Sequence, residues 1–196
     1  MQPRTQRRLG SVVLFALLAL LTACGGSNDS TSADDAASAA VTSHNDADVM
    51  FAQGMIPHHE QAIAMAQMAV TRATDSDVVD LANQIQDAQQ PEIDTMTRWL
   101  TSWDESADDM GGMDHSSMGQ GGMTGMMTPE DMRALTQASG AGFDQMWLEM
   151  MIEHHEGAID MAQTELADGE NAAAKSLAHD IIDAQQAEIT TMKGLL

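Results

Sequence analysis

The chain is poor in cysteine and in positively charged residues. Its 196 residues include one cysteine, Cys24, so it can form no intramolecular disulfide and no metal site of several thiolates. Any metal ion in the folded part must therefore be bound by His, Met, Asp or Glu side chains. Only 8 Lys and Arg accompany 30 Asp and Glu, giving a formal net charge of −22. Such a surface repels nucleic acid, and we expect no nucleic-acid partner.

Aromatic residues are also scarce. Tyrosine is absent, and there are three Phe and three Trp, whereas methionine occurs 18 times. A core with so few aromatic rings must be filled by Ala, Leu, Ile, Val and Met, which favours close-packed helices. Methionine packs well in irregular interiors, so core filling is the alternative explanation for most of the methionines proposed below as ligands.

The first 45 residues predict export and a tether. Three arginines precede an apolar run over residues 12–21, which is too short to span a bilayer. The sequence Leu-Thr-Ala-Cys that ends at Cys24 resembles the bacterial lipobox. This implies a signal peptide over 1–23 and a lipid on Cys24, which would anchor the protein at the outer face of the cell membrane or in the periplasm. The alternative is an ordinary signal peptide with an incidental cysteine. Residues 24–45, rich in Gly, Ser, Asp, Ala and Thr, predict a disordered tether.

The rest of the chain contains a duplication. Residues 48–100 align with residues 144–196 at a constant offset of 96 positions, without a gap. Met-Ile-Pro-His-His-Glu at 55–60 corresponds to Met-Ile-Glu-His-His-Glu at 151–156, and Asp-Ala-Gln-Gln at 87–90 recurs at 183–186. The duplication indicates a structural unit that is used twice.

Each copy predicts a helical hairpin, because apolar residues recur at steps of three and four along both of its halves. Two hairpins with matching apolar faces predict an all-α protein, an antiparallel four-helix bundle built from residues 46–103 and 142–196. We expect the connection to consist of a flexible Met- and Gly-rich linker over 104–127 and a short helix over 128–140, which begins at a Thr-Pro pair.

Adjacent histidines occur twice, in the first helix of each copy, on an apolar stripe that predicts burial. A buried histidine costs free energy unless it is hydrogen-bonded, so four of them indicate either a metal site or a packing role copied by the duplication. Neighbouring residues diverge by about 100° around a helix, so one histidine of each pair is predicted to face the bundle axis and the other a flank. Residues three or four positions apart can reach one ion from one helix. The candidate ligands in the helices are His58, His59, His154, His155, Met55, Met65, Met151, Met161, Glu92, Met96, Glu188 and Met192, with His179 as an accessory ligand.

The linker is a second candidate metal-binding segment. Methionine in a flexible, solvated segment buries nothing, so packing does not explain it, although a low-complexity linker that happens to be methionine-rich is the competing interpretation. The sequence Met-Asp-His-Ser at 113–116 resembles motifs of exported copper-resistance proteins. The candidate ligands here are Met110, Met113, His115, Met118, Met123, Met126 and Met127.

The ligand types favour copper, as Cu(I) or Cu(II). Thioethers select soft ions such as Cu(I), and imidazole suits copper and zinc. A di-iron oxidase of the ferritin type needs Glu-x-x-His in its second helices, and Glu92 has no His three residues later. No nucleophile elbow, phosphate loop or dinucleotide fingerprint is present, so we expect no organic cofactor and no catalytic residues.

The histidine motifs also carry a family resemblance. Residues 55–63 and their copy at 151–159 resemble the signature of the domain of unknown function family 305, and the segment 128–143 is similar as well. The resemblance covers about residues 45–196. It implies a ferritin-like four-helix bundle outside the cytoplasm and, since some members are periplasmic copper-binding proteins, copper bound by His and Met. Glu153 stands where the first copy has Pro57, so the two half-sites differ.

Together these features predict an extracytoplasmic copper-binding lipoprotein that captures or buffers copper for resistance or trafficking. A copper exporter or oxidase would be its partner. One alternative is an enzyme, either a metal-dependent oxidase or a ferritin-like redox protein. The other alternative is a structural or partner-binding envelope lipoprotein.

Overall fold

The computed structural model describes residues 43–106 and 124–196. The predicted signal peptide, the lipidation site and most of the tether lie outside these residues. So does most of the methionine-rich linker. The predicted features outside the described residues are therefore Cys24, Met110, Met113, His115, Met118 and Met123.

The described residues form five helices and no strand. They are α1 (Asp46–Arg72), α2 (Ser76–Ser102), α3 (Pro129–Gln137), α4 (Ala141–Asp168) and α5 (Ala172–Leu195). The predicted all-α class, with a short extra helix in the connection, is confirmed. Among these helices none has both the length and the apolarity needed to cross a membrane.

Side-chain caps begin four of the five helices. Asn45 accepts hydrogen bonds from the N–H groups of Ala47 and Asp48 at the start of α1. Asp75 and Asn171 cap α2 and α5 in the same way. Thr128 forms a capping box with Asp131 at the start of α3. Each cap satisfies an N–H that the first turn of a helix cannot pair internally, and this explains where the helices begin.

Two buried aspartates join the hairpins at opposite ends of the bundle. Asp48, in the first turn of α1, accepts the backbone N–H of Asn171 at 2.9 Å, in the turn between α4 and α5. Asp144, in the first turn of α4, accepts the N–H groups of Thr74 and Asp75, each at 3.0 Å, in the turn between α1 and α2. The start of each hairpin therefore meets the turn of the other, and α1 and α4 are antiparallel. Because each hairpin turn is only three residues long, the predicted antiparallel four-helix bundle is confirmed.

The core divides into two apolar clusters along the bundle. Each combines large side chains from one hairpin with alanines from the other, as the duplication requires. Cluster A includes Phe143, Trp147, Met151 and Met192 packed against Ala62, Ala66 and Ala82. Cluster B includes Phe51, Met55, Met96 and Leu100 packed against Ala158, Ala162 and Ala178. Helix α3 covers cluster A through the fully buried Leu135.

The last four residues of the predicted flexible linker are ordered against the bundle, contrary to the prediction. Residues 124–127, here called the strap, lie against α1 and α4 in a defined conformation. Met127 is buried in cluster A, and Gln61 pairs with its backbone in both directions, donating to its C=O at 2.9 Å and accepting from its N–H at 2.7 Å. The argument that linker methionines bury nothing is therefore wrong for Met127. The sequence pattern did not predict the burial of Met127, because a Gly- and Met-rich segment can be either a flexible linker or a backbone that packs closely against a helix.

Candidate metal centre

A layer of polar side chains crosses the middle of the bundle between the two apolar clusters. On α1 the clusters separate between Ile56 and Ala62, and on α4 they separate between Met151 and Ala158. The adjacent histidines of both copies occupy these gaps, and all four are fully or almost fully buried. This histidine layer consists of His58, His59, Gln89, Glu92, His154, His155, Gln185 and Glu188.

One histidine of each pair faces its own hairpin. The Nε2 atom of His59 lies 2.6 Å from Oε2 of Glu92, and that of His155 lies 2.7 Å from Oε2 of Glu188. The glutamates retain 18% and 17% side-chain exposure, so each links a buried ring to the bundle surface. A histidine that donates its Nε2–H to a carboxylate is held in one orientation and presents an unprotonated Nδ1. Neither Nδ1 has a hydrogen-bond partner among the described residues.

The other two histidines meet at the interface between the hairpins. The ring centroids of His58 and His154 are 3.7 Å apart, with their planes inclined at 40°. The two hairpins therefore contact each other through imidazole rings, which are the most common metal ligands among side chains. Adjacent histidines were predicted to face an axis and a flank, and the two members of each pair do face different partners.

Burial keeps these interface histidines neutral. It lowers the pKa of His58 to about 3, and the electrostatic influence of the neighbouring His59 adds to the effect. Burial also lowers the pKa of His154 well below its usual value, with repulsion from His58 contributing. Neutral imidazole is the form that binds a metal ion, so these rings need not lose a proton at pH 7 to act as ligands.

The strap covers one side of this pair. The Nε2–H of His58 donates to the backbone oxygen of Thr124 at 3.2 Å. The strap approaches α4 so closely that a Cβ atom on Gly157 would lie 2.1 Å from that same oxygen. Gly125 has φ +79°, a conformation that glycine adopts without strain, and it contacts Gly157 directly. Within the described ranges, neither ring nitrogen of His154 has a hydrogen-bond partner.

Two glutamines complete the layer, and they are not among the ligands predicted from the sequence. Gln89 and Gln185 occupy equivalent positions of the two copies, and each is 3% exposed. Both polar atoms of Gln89, and the side-chain oxygen of Gln185, lack a partner within the described part of the chain. The available signal was the Asp-Ala-Gln-Gln repeat, whose first glutamine shares the apolar face of its helix. So many buried polar atoms without protein partners indicate that the layer holds a ligand or water.

The predicted methionine ligands lie on both sides of the layer. Met55 and Met96 are fully buried in cluster B, and Met151 and Met192 are fully buried in cluster A. Met65 is fully buried in cluster A, and Met161 is half-buried beside cluster B. The structure therefore brings the histidines and glutamates together, and it places the methionines among core side chains that flank them. His179 is exposed on α5, and Met126 is half-buried in the strap.

The described side chains do not form a preassembled cage of charged ligands. Within residues 43–106 and 124–196, no group of three or more His, Cys, Asp or Glu side chains is arranged to hold a metal ion. A metal site in the histidine layer would therefore combine imidazole nitrogens with thioether sulfur or amide oxygen. Imidazole with thioether is the donor set expected for a soft or borderline ion, whereas an amide oxygen is a harder donor.

The fold and the layer define a class of protein, a duplicated four-helix bundle with buried histidines at its centre. The chain belongs to the DUF305 family, described as a domain of unknown function, whose sequence profile matches residues 48–196. Among curated proteins, no sequence matches the chain.

Solved structures of the same family superimpose on most of the chain. A DUF305 protein from Streptomyces coelicolor, described as secreted, is 32% identical, with a TM-score of 0.67 over 76% of this chain and 91% of that one. CopM in its Cu(II)-bound form is 34% identical, with a TM-score of 0.64 over 76% of this chain and 94% of CopM. CopM in an Ag-bound form is 31% identical, with a TM-score of 0.60 over 76% and 93% of the two chains.

Proposed function

We propose that this protein is an extracytoplasmic copper-binding lipoprotein that captures or buffers copper through His and Met side chains. The observation that carries the proposal is the histidine layer, where five imidazole nitrogens are buried without a hydrogen-bond partner in the described residues. Leaving such groups unpaired costs about 1–3 kcal/mol each, and a bound ion or buried water would offset the loss.

The geometry suggests which residues bind copper directly and which orient the ligands. His58 and His154 form the central pair, and they are already close and neutral. Glu92 and Glu188 orient His59 and His155 through their Nε2 atoms and leave each Nδ1 available. When bound, copper would add a coordination centre that joins the two hairpins. The thioethers nearest in sequence, Met55 and Met151, lie three and four residues before the histidines of their own helix.

Relatives support copper as the ion. CopM, about one-third identical to this chain, has been solved in Cu(II)-bound, Cu(I)-bound and Ag-bound forms. Silver(I) and copper(I) share a preference for thioether and imidazole ligands. The same preference follows from the donor set of this chain, which lacks cysteine after Cys24.

A groove between α2 and α5 provides a route from solvent to the layer. It has a volume of about 410 Å³, and its lining includes Asp77, Asp80 and Glu188. Glu188 is also the partner of His155, so one side chain belongs to both the groove and the layer. Carboxylates along a groove attract cations, and the net charge of −22 acts in the same direction.

Copper titration tests the bundle site. We expect the double variant His58→Ala/His154→Ala to bind Cu(I) at least 100-fold more weakly than the wild type, against a competing chelator. Glu92→Gln/Glu188→Gln should lose about 10- to 100-fold, the usual effect of removing a group that orients a ligand. His179→Ala, which removes an exposed histidine outside the layer, is the control. If both layer variants bind Cu(I) like the wild type and the control, the histidine layer is only structural.

The remaining parts of the proposal concern residues outside the described ranges. We propose that the lipid on Cys24 anchors the protein and that Met110, Met113, His115, Met118 and Met123 collect copper for transfer to the bundle and to an exporter or oxidase. Deleting residues 107–123 should lower the copper stoichiometry without unfolding the bundle. Cys24→Ala should move the protein out of the membrane fraction. Unchanged stoichiometry or unchanged partitioning would contradict the corresponding part.

A further inference from the structure

A second group of methionines lies outside the histidine layer, in a cleft between the strap, α3 and α4. The cleft has a volume of about 340 Å³. Six side chains line it, and they are of only two kinds, thioethers and carboxylates. They are Met127, Met146, Met150, Asp131, Glu149 and Glu153.

The three methionines come from two facing segments. Met146 and Met150 are one helical turn apart on α4 and therefore share a face of that helix. Met127 belongs to the strap, whose backbone Gln61 holds in place from α1. Met127 is buried, whereas Met146 and Met150 are half-buried, so the cleft has an apolar floor and an accessible mouth. Three thioethers around one small cleft are a donor set for a soft, monovalent cation.

The remaining lining is entirely acidic. Glu149 and Glu153 are exposed, and Asp131 is half-buried. Hydrogen bonds from Thr128 lower the pKa of Asp131, so its carboxylate is charged at neutral pH. If these methionines served only to fill the core, neutral side chains could line the cleft equally well. Three carboxylates beside half-buried methionines favour a cation over an apolar ligand.

The first copy of the duplication lacks this arrangement. The residues equivalent to Met146 and Met150 are Met50 and Gly54. Met50 is 44% exposed, and Gly54 has no side chain to offer. The methionine pair is therefore a property of the second copy, which is also the copy that the strap crosses at Gly157.

We propose that this methionine cleft is a second metal site, separate from the histidine layer, that binds Cu(I) or Ag(I) through the thioethers of Met127, Met146 and Met150. It lies beside the layer, since Glu153 directly precedes His154 and the strap that carries Met127 also carries the Thr124 oxygen bonded to His58. The cleft does not depend on metal binding by the histidines.

Silver(I) titration of the full chain with 13C-methyl methionine tests the site residue by residue. We expect the ε-methyl resonances of Met127, Met146 and Met150 to shift together at low silver(I). We also expect Met146→Leu/Met150→Leu to bind one ion fewer than the wild type. Zinc(II) should leave these resonances in place, because thioether is a poor ligand for it. Met50→Leu is the matched control, since it changes the equivalent residue of the first copy.

The outcomes separate this site from the proposed function. If the methyl shifts persist in His58→Ala/His154→Ala, the cleft binds independently of the layer, whether or not the layer binds copper. The proposal is overturned if the three resonances do not respond to silver(I), or if Met50→Leu loses the same ion as the double variant. If the double variant unfolds by circular dichroism, Met150→Leu alone must still weaken silver(I) binding at least 10-fold, and a wild-type affinity would overturn the proposal.

Discussion

The two ends of the bundle use the same residue for the same purpose but differ in the number of acids that they bury. At one end Asp144 accepts hydrogen bonds from the backbone of Thr74 and Asp75 and from the Thr74 hydroxyl. At the other end Asp48 accepts from the backbone of Glu170 and Asn171. The duplication has preserved this cross-connection between the hairpins, so it belongs to the frame of the fold.

Among the described residues, only the Asp48 end contains a second buried acid. Glu165 is 1% exposed and lies beside Asp48, whereas the equivalent residue at the other end is the fully buried Ala69. Burial raises the pKa of Glu165 to about 8; the neighbouring Asp48 and its charge add to this, and Lys175 opposes it. Burial works against ionisation of Asp48 as well, but hydrogen bonds from the backbone of Asn45, Glu170 and Asn171, together with the neighbouring Glu165, outweigh it and lower its pKa. At neutral pH Glu165 therefore holds a proton beside the charged Asp48, and a symmetric frame carries an unsymmetric set of buried acids.

The first way to test this comparison is to remove each aspartate. We expect Asp144→Ala to lower the free energy of unfolding by about 4 kcal/mol, because two backbone N–H groups and a hydroxyl lose a charged acceptor. Asp48→Ala should lower the free energy of unfolding by less, about 2 kcal/mol, because it also removes the negative charge that disfavours ionisation of Glu165. Urea denaturation at pH 7 measures both, with the exposed Asp46→Ala as control. Equal losses at the two ends would contradict the comparison.

The second test concerns the strap, because the strap contacts different residues at equivalent positions of the two copies. Gln61 clamps the strap from α1, and the equivalent residue on α4 is Gly157, which leaves room for it. Gly157→Ala should destabilise the protein by about 2 kcal/mol, because the new Cβ displaces the Thr124 carbonyl from His58. Gly194→Ala, where nothing lies near the added Cβ, should have almost no effect. The melting temperatures of the two variants measure this difference. If both variants melt at similar temperatures, the strap contributes little to stability.

The smallest expected effect concerns the proton held by Glu165. Below its ordinary pKa of 4.5 the group is protonated in both folded and unfolded chains and does not affect stability. As the pH rises towards 8, the unfolded chain releases the proton and the folded chain keeps it, so stability falls over this range. We expect Glu165→Gln to raise the free energy of unfolding by about 1–2 kcal/mol at pH 9 and to leave it unchanged at pH 4. A difference that does not vary with pH would show that no proton is held there.

Much of the fold could be predicted from repetition and periodicity. The constant offset between the copies indicated two equivalent hairpins, and their apolar stripes indicated how each one packs. Adjacent histidines on a stripe indicated burial of both members with different orientations. These predictions succeed because helix periodicity and hydrophobic burial act over a few residues and leave a pattern in the sequence.

The partners of the buried polar groups could not be predicted in this way. Thr124 reaches His58 across 66 positions, and Glu165 reaches Asp48 across more than one hundred. Gln89 and Gln185 share the apolar faces of their helices, but only the packing of the helices places them in one layer with the histidines. Met127 was assigned to a solvated linker, although Gln61 and cluster A hold it in the core.

The sequence by itself determined that this protein is a duplicated helical bundle, poor in cysteine and positive charge, with two pairs of histidines inside. Only the tertiary structure decided that two of those histidines meet each other while the other two meet glutamates, that the strap hydrogen-bonds to His58, and that three methionines share an acidic cleft. The physical reason is that local periodicity specifies which face of a helix is buried. Which side chains meet there depends on how four helices and a crossing segment pack together.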